Sequence, residues 1–170
     1  MKRLTGLTTL LVLLLLNLCV GEDASFSVGD LKLSTPKGWY SVPVPEGQPN
    51  TRAVIASNQP ADKQAVMMFS IVPKKGRSLE AFSSATRRFV IKEMDGVLEF
   101  ERKVKLDGAP AHSFVYEGRS RNSAQGRRKF MRTVVERGDS FYIIHGVADH
   151  IPFAKYAGTM ENVVNSAKWK

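Results

Sequence analysis

The stretch VLEFERKVKLDGAPAHSFVYEGRSRNSAQGRRKFMRTVVERGDSFYIIHGVA, residues 97–148, decides the fold. It divides into four strand-like runs: Val97 to Leu106, Ala111 to Glu117, Phe130 to Arg137 and Ser140 to Ala148. Each is rich in β-branched or aromatic side chains and bounded by turn formers. Asp107-Gly108 and Gly138-Asp139 read as tight hairpin turns. The middle pair is joined by a longer loop with Asn122-Ser123-Ala124-Gln125-Gly126 at its tip. Strands that follow one another through short turns predict an antiparallel sheet rather than βαβ units.

Helical patterns flank this block. Before it, Ser78 reads as an N-cap, and Leu79, Phe82, Thr86, Phe89, Val90 and Met94 recur at helical spacing until Asp95-Gly96. After it, Phe153, Tyr156, Met160, Val163 and Val164 form the apolar stripe of a second helix, over about 151–167. Further upstream, Phe26 to Ser34, Trp39 to Val44, Arg52 to Ser57 and Ala65 to Val72 read as strands. Thr35-Pro36-Lys37-Gly38 and a polar loop at 58–63 separate them. The order is strands, helix (about 78–94), four strands, helix: an α+β sandwich. Met67-Met68 beside Phe69 reads as strand core, and Trp39 and Trp169 as packing groups.

These landmarks resemble the PsbP-like superfamily, which takes in the extrinsic photosystem II subunit, the yeast Ran-binding protein of the same fold and many small exported bacterial proteins. The resemblance runs through Leu31-Lys-Leu-Ser-Thr-Pro36-Lys-Gly38-Trp39, Ser78-Leu79-Glu80-Ala81-Phe82 and Gly108-Ala109-Pro110-Ala111 with its strand to Tyr116. It ends in Gly138-Asp139-Ser140-Phe141-Tyr142-Ile143-Ile144, Phe153-Ala-Lys-Tyr156 and Val163-Val164-Asn165-Ser166. It implies an α-β-α sandwich with a central, mainly antiparallel sheet. It also implies a non-enzymatic binding or assembly role, although a fold of this kind hosts many functions.

The N-terminus predicts export. Lys2 and Arg3 precede an almost wholly apolar run from Leu7 to Val20, closed by Glu22-Asp23. That run is shorter than the roughly 20 residues needed to span a bilayer and suits a signal-peptide core. Small residues at Cys19 and Gly21 place cleavage after Gly21, leaving residues 22–170 as one domain in a periplasmic or secreted setting. The rival is a lipoprotein acylated at Cys19, but Leu18 stands where Gly, Ala or Ser is required. Cleavage removes two bases and no acid, taking the net charge from +9 to +7, and removes the only cysteine. No disulfide, thiolate ligand or cysteine nucleophile then remains.

Candidate chemistry is sparse. His112 shares a strand face with Phe114 and Tyr116, and His145 with Phe141, Ile143 and Val147. If those strands are neighbours, the two rings approach one another, and the rival function is a hydrolase or metal-dependent enzyme with a pocket there. No His-x-His pattern or acidic pair supports a metal, so the residues point to no cofactor and no enzyme. Glu99 and Glu101 read as a solvated strand face. Serines lack a nucleophile-elbow setting, and Gly126-Arg127-Arg128-Lys129 lacks the strand–loop–helix context of a phosphate loop.

Charge is the concentrated feature. Arg119, Arg121, Arg127, Arg128, Lys129 and Arg132 flank one loop with no acid between Gly118 and Thr133. A smaller group, Lys74, Lys75 and Arg77, precedes the first helix. Clustered guanidinium groups attract carboxylates and phosphates. For an exported domain the expected partner is an acidic protein or an anionic envelope component, with peripheral membrane contact, rather than nucleic acid. A basic loop also keeps a protein soluble and blunts sheet edges without binding anything.

Overall fold

The structure is a computed structural model that describes residues 24–60, 63–119 and 126–170, and of residues 150–152 the backbone only. The export signal, its cleavage after Gly21, Cys19 and Arg121 all lie outside the described residues.

The N-terminal segment makes two strands rather than one: β1 (Ser25–Val28) and β2 (Leu31–Ser34), turned at Gly29 with φ +58°. Next come β3 (Trp39–Ser41), β4 (Thr51–Ser57), β5 (Val66–Pro73) and helix α1 (Leu79–Glu93). The deciding stretch forms β6 (Val97–Leu106), β7 (Ala109–Gly118), β8 (Arg128–Arg137) and β9 (Ser140–Asp149). Helix α2 (His150–Asn165) and a short β10 (Lys168–Trp169) close the chain.

Strands β3 to β9 build a seven-stranded sheet in the order β3-β4-β5-β9-β8-β7-β6, with every pairing antiparallel. The four-strand meander therefore stands as expected, and β9 carries it onto the earlier strands by pairing Val66–Pro73 with residues 140–147. A second sheet, β1-β2-β10, is small. Its third strand occupies residues just beyond the span of about 151–167 expected for the second helix. Helix α2 stops at Asn165 instead of Ala167, because Trp169 is held by neighbours distant in sequence. Its backbone N–H donates to Asp107 Oδ2 (2.9 Å), and its indole N–H donates to the Leu106 carbonyl (3.2 Å).

Alternation along the sheet feeds a core on each side. Phe130 and Val134 of β8 pack with α1, while Met131 and Val135 pack with α2 and β2. All five stripe residues of α2 are buried, Met160 completely. Trp39 packs its ring edge-on to Tyr156 at 5.8 Å, and Trp169 does the same to Tyr142 at 5.0 Å. This is an α+β sandwich with one helix on each face of a large antiparallel sheet.

Helix α1 begins as expected, with Ser78 Oγ accepting from the Ala81 N–H at 3.1 Å. Such a cap contributes on the order of 1 kcal/mol. Its buried face is different from the expected stripe. Leu79, Ser83, Thr86 and Val90 are buried, whereas Phe89 is 47% exposed. Residues at i, i+4, i+7 and i+11 line one stripe of a helix, and position 89 lies to its side. Helix α1 packs chiefly on β6, β7 and β8 and reaches β9 at Phe141, so the same face of β4 and β5 and the adjoining part of β9 is left without a helix.

Candidate functional site

The basic residues singled out from the sequence lie in two settings. Arg119 follows β7, its backbone N–H bound to the Met94 carbonyl at 2.8 Å, and its side chain is exposed with no carboxylate partner among the described residues. Arg127, Arg128 and Lys129 stand on the opposite arm, and each has an acid that the sequence places elsewhere. Arg127 donates from Nε to Glu117 (2.9 Å) and from Nη1 to Asp95 (3.4 Å). Arg128 donates to Asp149 at 2.7 Å and Lys129 to Glu99 at 2.8 Å. The run is acid-free along the chain but not in space. Part-exposed pairs like these contribute about 0–1 kcal/mol each, little enough for an external polyanion to compete.

Other charges are similarly tied. Glu101 is not a solvated strand residue: Arg87 grips it with two hydrogen bonds (2.7 and 2.8 Å) and reaches Glu80 with a third (3.1 Å). Those bonds raise the Arg87 pKa, and the bond from Arg87 is the main cause that lowers that of Glu80. Lys74 pairs with Glu136, and Arg77 lies over the Phe82 ring at 5.2 Å.

Arg132 occupies the second setting, midway along β8 and paired in register with His145 of β9. It borders a cleft of about 260 Å³ over the helix-free part of the sheet. Met68 and Ser70 of β5 and Ile143 and His145 of β9 form the floor, and residues 48–51 form a wall. That wall is held by the Thr51 N–H to the Gln48 carbonyl (3.1 Å) and the Ile71 N–H to the Asn50 carbonyl (3.0 Å). The Thr51 and Ser70 hydroxyls are hydrogen-bonded to each other at 3.2 Å. Among the described residues no Asp or Glu lines the cleft. Met68 thus faces this cleft while Met67 and Phe69 fill the core on the other side. Alternation alone puts Met68, Ser70 and Val72 on one face. Only the β5–β9 register sets that face beside Arg132.

Arg132 donates from Nε to His145 Nδ1 at 3.1 Å. His145 therefore carries its proton on Nε2 when neutral. Burial, and secondarily the charge of Arg132, hold its pKa well below the ordinary histidine value of 6.5. A depressed folded-state pKa means that the unfolded chain takes up the proton first. His145 therefore contributes stability in full above about pH 6.5, and that contribution is lost as pH falls toward the folded-state pKa. Urea unfolding across pH 7.5 to 5 is expected to show this decline, and H145Q to flatten it. NMR of the ring nitrogens is expected to show the Nε2–H tautomer through pH 6.

The two histidines do not meet. His112 on β7 pairs in register with Val134, and His145 with Arg132, so all of β8 lies between them. Two inter-strand steps alone separate them by about 9–10 Å. The condition for the rival pocket, neighbouring strands, is therefore not met. His112 is buried, with Glu80 and Glu101 oxygens at 4.0 and 3.9 Å and no hydrogen-bond partner on Nδ1 among the described residues. Among the described residues no group of three or more His, Cys, Asp or Glu could hold a metal ion.

Neither a family model nor a curated protein matches the sequence. Solved structures do match the fold. The solution structure of cyanobacterial PsbP (CyanoP) from Synechocystis superposes with a TM-score of 0.68 at 13% identity, covering 91% of this chain and 96% of that one. The fold is PsbP-like. The Ran-binding protein Mog1p of Saccharomyces cerevisiae aligns at TM-score 0.57 and 10% identity, over 86% of this chain and 96% of its own. LpqN of Mycobacterium tuberculosis, described as involved in cell envelope biogenesis, aligns at 0.55 and 14%, over 86% and 84%. At these identities the PsbP-like likeness is one of architecture. No helix among the described residues is long and apolar enough to cross a membrane.

Proposed function

We propose that this chain is an exported, non-catalytic binding or accessory protein of the cell envelope. It contacts an acidic protein or an anionic envelope component through the outer end of the β7–β8 hairpin. Arg119, Arg121, Arg127, Arg128 and Lys129 form that contact, and Arg132 lies apart in its cleft. The observation that carries the reading is the exposed guanidinium of Arg119, without a carboxylate partner among the described residues, beside an arm of three weakly paired cations. The signal-like residues 1–21 support export, and the description of LpqN supports an envelope setting. The separation of His112 from His145 supports a non-catalytic role.

The test is binding to vesicles of phosphatidylglycerol and phosphatidylcholine, and to a soluble acidic polymer, across a salt series. Electrostatic contact predicts weaker binding as salt rises from 50 to 500 mM, in keeping with a screening length that falls to about 3 Å at 1 M. The double variant R119A/R121A is expected to weaken binding more than K74A/K75A. Binding indifferent to both salt and the hairpin substitutions would exclude this surface.

A further inference from the structure

The cleft at Arg132 has the features of a ligand site independent of the hairpin end. The Nε–H of Arg132 is committed to His145, which fixes the plane of the guanidinium. Its two terminal NH₂ groups have no protein partner among the described residues. A guanidinium held in this way keeps one two-donor edge free, and that edge matches the two oxygens of a carboxylate. Among the described residues no acid lines the cleft to compensate the charge, unlike the acids beside Arg87, Arg127 and Arg128. The rest of the lining is chemically mixed. Thr51 and Ser70 offer hydroxyls and Asn50 an amide, while Met68 and Ile143 supply an apolar floor. Binding sites combine an apolar body with a few placed polar groups, and about 300 Å³ marks the small end of their range.

We propose that the cleft binds a small hydroxylated carboxylate of sugar-acid type. Its carboxylate lies on the free edge of Arg132, its hydroxyls meet Thr51, Ser70 and Asn50, and its apolar face rests on Met68 and Ile143. The inference rests on the preceding reading only in taking the partner to be anionic. The ligand is either a free sugar acid or the terminal residue of an acidic glycan, since both present the same group.

The experiment titrates ¹⁵N-labelled protein, expressed as the full chain and purified in the form the host produces, with glucuronate, glucose and inorganic phosphate. Glucuronate is expected to give saturable shifts at the Arg132 Nε–H and at the backbone amides of residues 50, 51, 143 and 145. R132K keeps the charge but loses the fork, and is expected to weaken glucuronate binding at least tenfold. S70A keeps both charge and fork and is expected to weaken it severalfold. The amide spectrum of each variant reports whether the fold is intact. Trigalacturonate binding more tightly than galacturonate supports the site with a glycan terminus as ligand, and the reverse supports it with a free sugar acid.

No saturable shift with glucuronate up to tens of millimolar overturns the proposal. So does phosphate binding as tightly as glucuronate, which leaves the hydroxyls no role, or glucose binding as tightly, which leaves the carboxylate none. Loss of glucuronate binding in R119A/R121A would move the site to the hairpin. Unchanged glucuronate binding in that variant, whatever happens to vesicle binding, separates this site from the hairpin surface.

Discussion

Phe141→Ala is expected to destabilise the protein by about 3–5 kcal/mol, the usual cost of emptying a buried aromatic site. Phe141 is wholly buried in the core under α1, and its ring lies 4.7 Å from that of Phe82. It joins the helix to β9, the strand that links the two halves of the sheet. Side chains around the void belong to a helix and to hydrogen-bonded strands, so they can collapse only partly. Against a total stability of about 5–15 kcal/mol, the loss is a large fraction. Urea unfolding should show a much lower midpoint with an unchanged slope. Phe89→Ala on the same helix is expected to stay within about 0.5 kcal/mol, as exposed positions do. Equal losses at the two positions would contradict the observed helix orientation.

Gly96→Ala is expected to cost about 3 kcal/mol, at the upper end for overpacking. Gly96 follows Asp95, which ends α1 in the left-handed region at φ 45°, and its N–H donates to the Val90 carbonyl at 2.9 Å. A Cβ here would lie 2.8 Å from the carbonyl oxygens of both Val90 and Glu117. Backbone oxygens cannot rotate away as a side-chain tip can, so the helix end and β7 must separate. The same substitution at Gly158, exposed on α2 where an added Cβ would meet nothing within 4 Å, should stabilise by about 0.5–1 kcal/mol. Thermal melts of the two variants should therefore move in opposite directions.

Local pattern was enough wherever neighbours in the chain are neighbours in space. The turns at Asp107-Gly108 and Gly138-Asp139, the Ser78 cap and the buried stripe of α2 are all of this kind. It was insufficient where a distant partner decides. The helical spacing of α1 admits Phe89 on its apolar stripe, but packing on the sheet buries Leu79, Ser83, Thr86 and Val90 and leaves Phe89 outside. The second helix reads as running to about 167, but it ends at Asn165 where Asp107 and the Leu106 carbonyl take up Trp169. Glu101 looks solvated until Arg87 folds down on it.

By itself, then, the sequence determined the four-strand meander, the two amphipathic helices and the PsbP-like order of elements, because hydrophobic period and turn chemistry are local properties. The tertiary structure decided what the charges and histidines mean. Sheet order puts β8 between His112 and His145 and brings Glu99, Asp95 and Asp149 to the hairpin cations. The β5–β9 register sets Ser70 and Met68 beside Arg132. Pairing between strands far apart in sequence is fixed by backbone hydrogen bonds and core packing, and no local run of side chains encodes it.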